Sequence, residues 1–252
     1  MPKEPSFFEN LNYDDFRRLA LDDSLSVYEK VGFPDSYRLA HEKNIHADLK
    51  HKAPALDAPE TRILDIGCGC SDLPRMLMRT AEEKRQQLFL LDSPEMLAQL
   101  PAAPCESVVQ VPARFPDCPD FLKEFQGRFD VVLTYSVIQY VFAGGNVFEF
   151  LDEALELLAP GGRLLIGDIP NTSMRKRFFA SETGAAHHRA FTQSDARPDV
   201  RFNRLEAGQI DDSVVFAIVA RARAAGFHGF VLPQPSELPM ANRREDILVV
   251  RP

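Results

Sequence analysis

Ile63-Leu64-Asp65-Ile66-Gly67-Cys68-Gly69-Cys70-Ser71-Asp72-Leu73 reads as an apolar strand that runs into a glycine-containing turn and then into a helix. Two glycines in such a turn let backbone N–H groups approach a ligand closely, and the helix behind them presents further free N–H groups at its positive end. The dinucleotide fingerprint requires a third glycine at the start of that helix, and this chain has Asp72 there, a carboxylate that would repel a pyrophosphate. The next strand closes on Leu90-Leu91-Asp92, so an acid stands 23 residues after Gly69 at a strand's carboxyl end, where it can accept both hydroxyls of a ribose. An adenosine ligand without phosphates satisfies both ends.

Outward from this unit, short apolar runs predict strands at Arg62–Ile66, Leu88–Asp92, Val108–Pro112, Phe129–Thr134, Arg163–Asp168, Phe227–Leu232 and Asp246–Arg251. Amphipathic stretches between them indicate βα units and a mostly parallel sheet. Val147, Phe150, Leu151, Ala154, Leu155 and Leu158 form one helical stripe that stops at Pro160-Gly161-Gly162, and a helix over Ser213–Ala225 leads through Gly226 into the sixth strand. No helix separates the last two strands, so they should pair as an antiparallel hairpin. Ahead of residue 60, helices are expected at Tyr13–Leu21, at Ser24–Val31 and from Asp35 to about Lys50, with Pro54–Pro59 as linker. The fold expected is α/β: a Rossmann-like seven-stranded sheet with helices on both faces. An N-terminal helical cap (1–59) precedes the main domain (60–252), which carries a lid-like insertion at 170–210.

Asp65-Ile66-Gly67-Cys68-Gly69 and Asp92, with the Pro-Gly-Gly turn before strand five and the closing hairpin, resemble the class I S-adenosylmethionine-dependent methyltransferases over about Arg62 to Arg251. The resemblance implies S-adenosyl-L-methionine as cofactor, held by Asp65, Gly67, Gly69, Asp92 and Ser93. Ala113 and Arg114 would follow strand three near the adenine, and Tyr135 and Ser136 would follow strand four near the methionine part. Tyr135-Ser136-Val137-Ile138-Gln139-Tyr140 and Gly167-Asp168-Ile169-Pro170-Asn171 look like a bacterial group found with sugar and surface-polysaccharide enzymes. Methyltransferases acting on base amino groups carry Asn or Asp followed by Pro-Pro and an aromatic residue after strand four, where this chain has Thr134-Tyr135-Ser136-Val137. Metal-dependent catechol-type enzymes need more acids than Asp168 with Asn171 supplies, so no metal is expected.

Composition bounds the remaining choices. Twenty-nine Lys and Arg against 37 Asp and Glu leave −8, so nothing global draws the chain to nucleic acid or an anionic membrane. Cys68, Cys70, Cys105 and Cys118 form no CxxC pair and read as free thiols. With neither a signal-like leader nor an apolar run of spanning length, a cytoplasmic location is expected, and the oligomeric state is left open. Within Pro170–Arg204, seven basic residues face three acids, a local +4 that suggests an anionic or sugar-linked small-molecule acceptor, with Tyr140, Asn171, Arg175 and Arg177 as candidate contacts. His187 and His188 in the same insertion are the candidate general bases, with surface histidines as the alternative. The expected reaction is O-methylation of a small-molecule hydroxyl. The competing readings are an NAD(P)-dependent oxidoreductase on a Rossmann sheet and a non-catalytic binding protein on the methyltransferase fold.

Overall fold

A computed structural model describes Phe8 and residues 11–204 and 206–252. The chain opens with helices α1 (Tyr13–Ala20), α2 (Val27–Lys30), α3 (Asp35–Arg38) and α4 (Glu42–Lys52). Strand β1 (Arg62–Ile66), helix α5 (Asp72–Lys84), β2 (Gln87–Asp92), α6 (Pro94–Leu97) and β3 (Val108–Pro112) follow. Then come α7 (Pro119–Phe125), β4 (Phe129–Tyr135), α8 (Ile138–Gly144), α9 (Val147–Glu156) and β5 (Leu158–Pro170). Helices α10 (Thr172–Ala180), α11 (Glu182–Thr192) and α12 (Asp212–Ala224) lead to β6 (His228–Pro233) and β7 (Arg244–Val250).

The strands form one seven-stranded sheet in the order β3-β2-β1-β4-β5-β7-β6. Pairs from β3 to β5 are parallel, and β7 runs antiparallel between β5 and β6. The expected sheet, including its antiparallel closing pair, is therefore present. Both faces of the central strands are covered, as buried parallel strands require. Leu64 and Val132 pack with α9 and α12 on one face, while Ile63, Val131 and Leu133 pack with α4 and α5 on the other. Asn146 caps α9 by accepting from Phe148 N at 3.2 Å, and Asp211 caps α12 by accepting from Ser213 N at 2.9 Å.

Two local expectations change. The Pro160-Gly161-Gly162 turn lies inside β5, in a bulge between the pairs Phe129↔Leu158 and Val131↔Arg163. A Cβ at Gly162 would sit 2.6 Å from the Phe129 carbonyl oxygen, so only glycine lets the two strands remain paired around the bulge. The single helix expected from Asp35 to Lys50 is broken at Ala40, whose φ of 71° is left-handed. The break separates two tasks: α3 turns Arg38 inward, while α4 buries Ile45 and Leu49 against the core.

Candidate active site

The carboxyl ends of β1, β2 and β4 open into a cleft of about 350 Å³, roofed by the N-terminal helices and within the usual size of small-molecule sites. Its floor is the glycine turn. Gly67 (φ 70°) and Gly69 (φ 66°) are both left-handed, and a Cβ at either would lie 2.7 Å from Val137 Cγ2 or 2.8 Å from Val31 Cγ1. The turn is thus closed in from β4's loop on one side and from the cap on the other.

Asp92 holds the turn in place. Its Oδ2 accepts from Gly69 N at 2.9 Å and its Oδ1 from Ser93 N at 2.7 Å. A carboxylate has about four lone-pair positions, so acceptor capacity remains toward the cleft. Burial raises the Asp92 pKa to about 6 in spite of those two N–H donors. Asp65, 2% exposed beneath the turn, is pushed to about 8 by burial and by the charge of Asp92. Its Oδ2 has no hydrogen-bond partner among the described residues. A ribose acceptor at Asp92 over a glycine floor fits the adenosine part of S-adenosylmethionine, while Asp65 supports the turn from beneath and does not line the cleft. Asp72 donates nothing to this floor: it accepts the Tyr28 hydroxyl at 2.9 Å and ties the cap to the start of α5.

Among the other cofactor candidates, Gly67, Gly69, Ala113, Arg114, Tyr135 and Ser136 line the cleft. Arg114 lies over the Tyr13 ring at 5.2 Å, at the β3 side. Ser93 does not line the cleft; it donates its N–H to Asp92 from behind and its Oγ caps α6 by accepting from Met96 N at 3.2 Å. Cys68 lines the cleft and Cys70 is buried beside it, and burial pushes both thiols upward, that of Cys70 to about 11.

The inner end of the cleft, over β4 and β5, joins the expected Tyr135, Ser136 and Tyr140 to Arg38 and Arg244, which sequence reasoning missed. Arg38 reaches down from the cap, 5% exposed, and its Nη2 donates to Ser136 Oγ and, at 3.2 Å, to Asp168 Oδ2. Ser136 Oγ donates to the same carboxylate oxygen, and Arg244 Nη1 donates to it at 2.6 Å. Ser136 and Asp168 both have a φ of 60°, a conformation non-glycine residues hold only when surrounding contacts fix it. Phe33 lies under the Arg38 guanidinium at 4.2 Å, and Tyr140, which lines the cleft, packs edge-on against Phe16 at 4.8 Å. The Tyr135 ring fits because residue 167 is glycine: a Cβ there would be 2.4 Å from Tyr135 Cδ2.

The insertion is not assembled around this cleft. His187 and His188 sit on α11 against Phe178 and Phe179, and no histidine lines the cleft among the described residues. The expectation of a histidine base therefore loses its geometric support. Arg175 pairs with Glu206 at 2.6 Å and Arg177 with Asp212 at 2.6 Å, while Asn171 caps α10 and donates to Asp212 at 2.8 Å. These three, offered as acceptor contacts, are committed to intramolecular partners. Asp168 and Asn171 are likewise engaged, by arginines and by the α10 cap, rather than facing one another as metal ligands.

A methyltransferase-domain family model matches residues 64–164. Over 136 residues the chain is 28% identical to a ubiquinone biosynthesis O-methyltransferase of Xanthomonas campestris, covering 52% of this chain and 54% of that protein. Over 123 residues it is 35% identical to the chondramide synthase of Chondromyces crocatus, covering 47% of this chain and 3% of the synthase. The chain thus spans about half the length of the first relative and a small part of the second. Among solved structures, the N-methyltransferase NodS from Bradyrhizobium japonicum WM9, in complex with S-adenosyl-L-homocysteine, shares its fold with a TM-score of 0.53 at 16% identity, over 95% of this chain and 98% of that one. Domain match, strand order and the acid–glycine–acid motif at the cleft agree: over residues 64–164 the chain is similar to the methyltransferase domain, and its sheet has the fold of the class I S-adenosylmethionine-dependent methyltransferases.

Proposed function

We propose that the chain is an enzyme that transfers a methyl group from S-adenosylmethionine to an oxygen of a small molecule. One observation carries this reading: the nucleotide-sized floor at Gly67, Gly69 and Asp92 continues without a break into a buried polar and aromatic end at Arg38, Tyr135, Ser136 and Tyr140. The match to an O-methyltransferase over half of its length supports oxygen as the acceptor atom.

The cofactor supplies an electrophilic methyl on a sulfonium, and the chain's own residues supply alignment and exclusion of water. Asp92 is placed to accept the ribose hydroxyls, and Asp65 lies beneath the turn. Ser136 Oγ donates to Asp168 and accepts from Arg38, which leaves one lone pair free to accept from an acceptor hydroxyl and to orient it. Tyr135 and Tyr140 are both held neutral by burial, so they act as hydrogen-bond donors rather than bases. The roof is fastened at several points. Arg17 pairs with Glu95 at 2.7 Å, Lys30 donates to Gln99 at 2.7 Å, and Tyr28 donates to Asp72.

The test is incubation with methyl-labelled S-adenosylmethionine and a set of phenols, sugars, hydroxy acids and matched amines. Label in an ether or ester product, with equimolar S-adenosylhomocysteine, is expected. Label only in amines would move the acceptor atom to nitrogen. Cofactor binding with no transfer to any member would favour the non-catalytic reading. The pairing of Arg175 with Glu206 and of Arg177 with Asp212 weakens the case for that lid as the anion contact.

A further inference from the structure

We propose that the lid carries a second ligand site, separate from the cleft, which takes a phosphomonoester dianion with an apolar body. Between α10, α11 and residues 198–206 lies a cavity of about 540 Å³. It shares no lining residue with the cleft and is independent of the cofactor reading of that cleft. Its volume is that of a small-molecule site rather than of a lone ion. Phe179, Pro198 and Val200 supply apolar wall, and the His188 ring stands edge-on to Phe179 with 6.1 Å between centroids. Every other lining side chain is charged.

Counted over that lining alone, four cations meet two acids. Glu206 is shared by Arg175 at 2.6 Å and Lys176 at 3.0 Å, and Asp199 is matched by Arg201 at 3.3 Å. Arg204 has no ion pair among the described residues. One surplus cation comes from the shared Glu206 and one from Arg204. The pairing that occupies Arg175 and Arg177 therefore leaves this cavity positive. Charges outside the lining do not reverse the balance: Arg177 with Asp212 and Arg197 with Glu182 are matched pairs. Arg243, its guanidinium 5.7 Å from the Phe179 ring centre and its Nη1 buried without a partner, adds a further cation beside the apolar wall. Lys176 is only 14% exposed, and its Nζ is held toward the 198–206 segment by the Arg204 carbonyl at 2.7 Å. Like charges around one concavity with apolar walls focus a positive field. A phosphomonoester brings about −1.5 to −2 at pH 7 and three acceptor oxygens, which matches a surplus of two in one place. A polyanion is the poorer fit, because one dianionic group uses up that surplus and the chain as a whole stands at −8.

The test is calorimetric titration of the full chain in phosphate-free buffer at fixed ionic strength, with and without saturating S-adenosylhomocysteine. The probes are phenyl phosphate, phenyl sulfate, inorganic phosphate and phenol. Phenyl phosphate should bind one-to-one and about tenfold more tightly than the monoanionic sulfate, as one lost charge-assisted contact implies. Inorganic phosphate should bind more weakly than its phenyl ester, and phenol not at all. Arg204→Glu reverses the unpaired cation at an exposed position and should weaken phenyl phosphate at least tenfold. Lys176→Gln, which still offers a donor to the Arg204 carbonyl, should weaken it several-fold and keeps the test decisive should the first variant fail to fold. Saturating S-adenosylhomocysteine should leave phenyl phosphate binding in place. Absence of phenyl phosphate binding to wild type, equal affinity in both variants, displacement by S-adenosylhomocysteine, or equal binding of phenyl sulfate would each overturn the site. Failure of S-adenosylhomocysteine itself to bind overturns the cofactor reading alone, a separate and visible result.

Discussion

Replacing Asp92 by Asn removes a charge that the cleft has kept buried at a cost. Burial lifts the carboxyl to about 6, so in the free protein it is mostly ionised at pH 7 and mostly protonated at pH 5. Ribose hydroxyls donate to the ionised form, so binding selects it. If only that form binds, the apparent dissociation constant carries the factor 1 + 10^(pKa − pH), which is about 1.1 at pH 7 and about 11 at pH 5. Affinity for S-adenosylhomocysteine should therefore be flat above about pH 7 and fall about tenfold, or ~1.4 kcal/mol, by pH 5. At pH 7 the Asn variant loses hydrogen bonds to a charged group, worth about 1.5–3 kcal/mol, or about ten- to a hundred-and-fifty-fold. Its amide also confronts either the Gly69 or the Ser93 N–H with a second donor. Calorimetry of both proteins from pH 5 to 8, with the thermal midpoint as a check on folding, reads both effects. Wild-type affinity in the variant, or an acid-side loss that persists in it, would refute the assignment of the ribose to Asp92.

Asp65→Asn should raise the thermal midpoint of the free protein at pH 8, with the gain shrinking as pH falls and vanishing only below about pH 4. The folded-state pKa of this acid is raised from 3.8 to about 8, so it contributes stability that is lost as pH rises through that window. A gain of about 1 kcal/mol would be seen as about 2–4 °C; a difference between the proteins that does not change with pH would contradict it. Lys52→Met strands Asp48 and Asp246, 9% and 0% exposed, without their shared cation, and should cost about 3–5 kcal/mol in urea unfolding. A loss below 1 kcal/mol would show that the pair is hydrated rather than buried. Gly167→Ala drives a methyl into the Tyr135 ring and should destabilise by about 1–3 kcal/mol, but should be nearly neutral in a Tyr135→Ala background. Equal costs in the two backgrounds would exclude that contact.

What could be read from the sequence was local or periodic. The run from Ile63 to Leu73 shows its strand, turn and helix within eleven consecutive residues, and Asp92 is identified by its place at the end of the following strand. The α9 stripe and the paired last strands follow from the same periodicities. The inner end of the cleft has no such signature. Arg38, Ser136, Asp168 and Arg244 come from four separate segments, and their meeting depends on how the cap lands on β4 and β5. The break at Ala40, which frees α3 to deliver Arg38, has neither glycine nor proline to announce it. The basic lid misled for the converse reason: its charge is plain in the sequence, but Glu206 and Asp212, which neutralise Arg175 and Arg177, lie beyond the stretch whose charge was summed.

The most direct test of the account is calorimetric titration of the purified chain with S-adenosylmethionine and S-adenosylhomocysteine, with a nicotinamide dinucleotide as control. The account predicts saturable one-to-one binding of both sulfur nucleosides in the micromolar range and none of the dinucleotide, which Asp72 at the helix start should repel. Binding of the dinucleotide alone, or of none of the three, would contradict it.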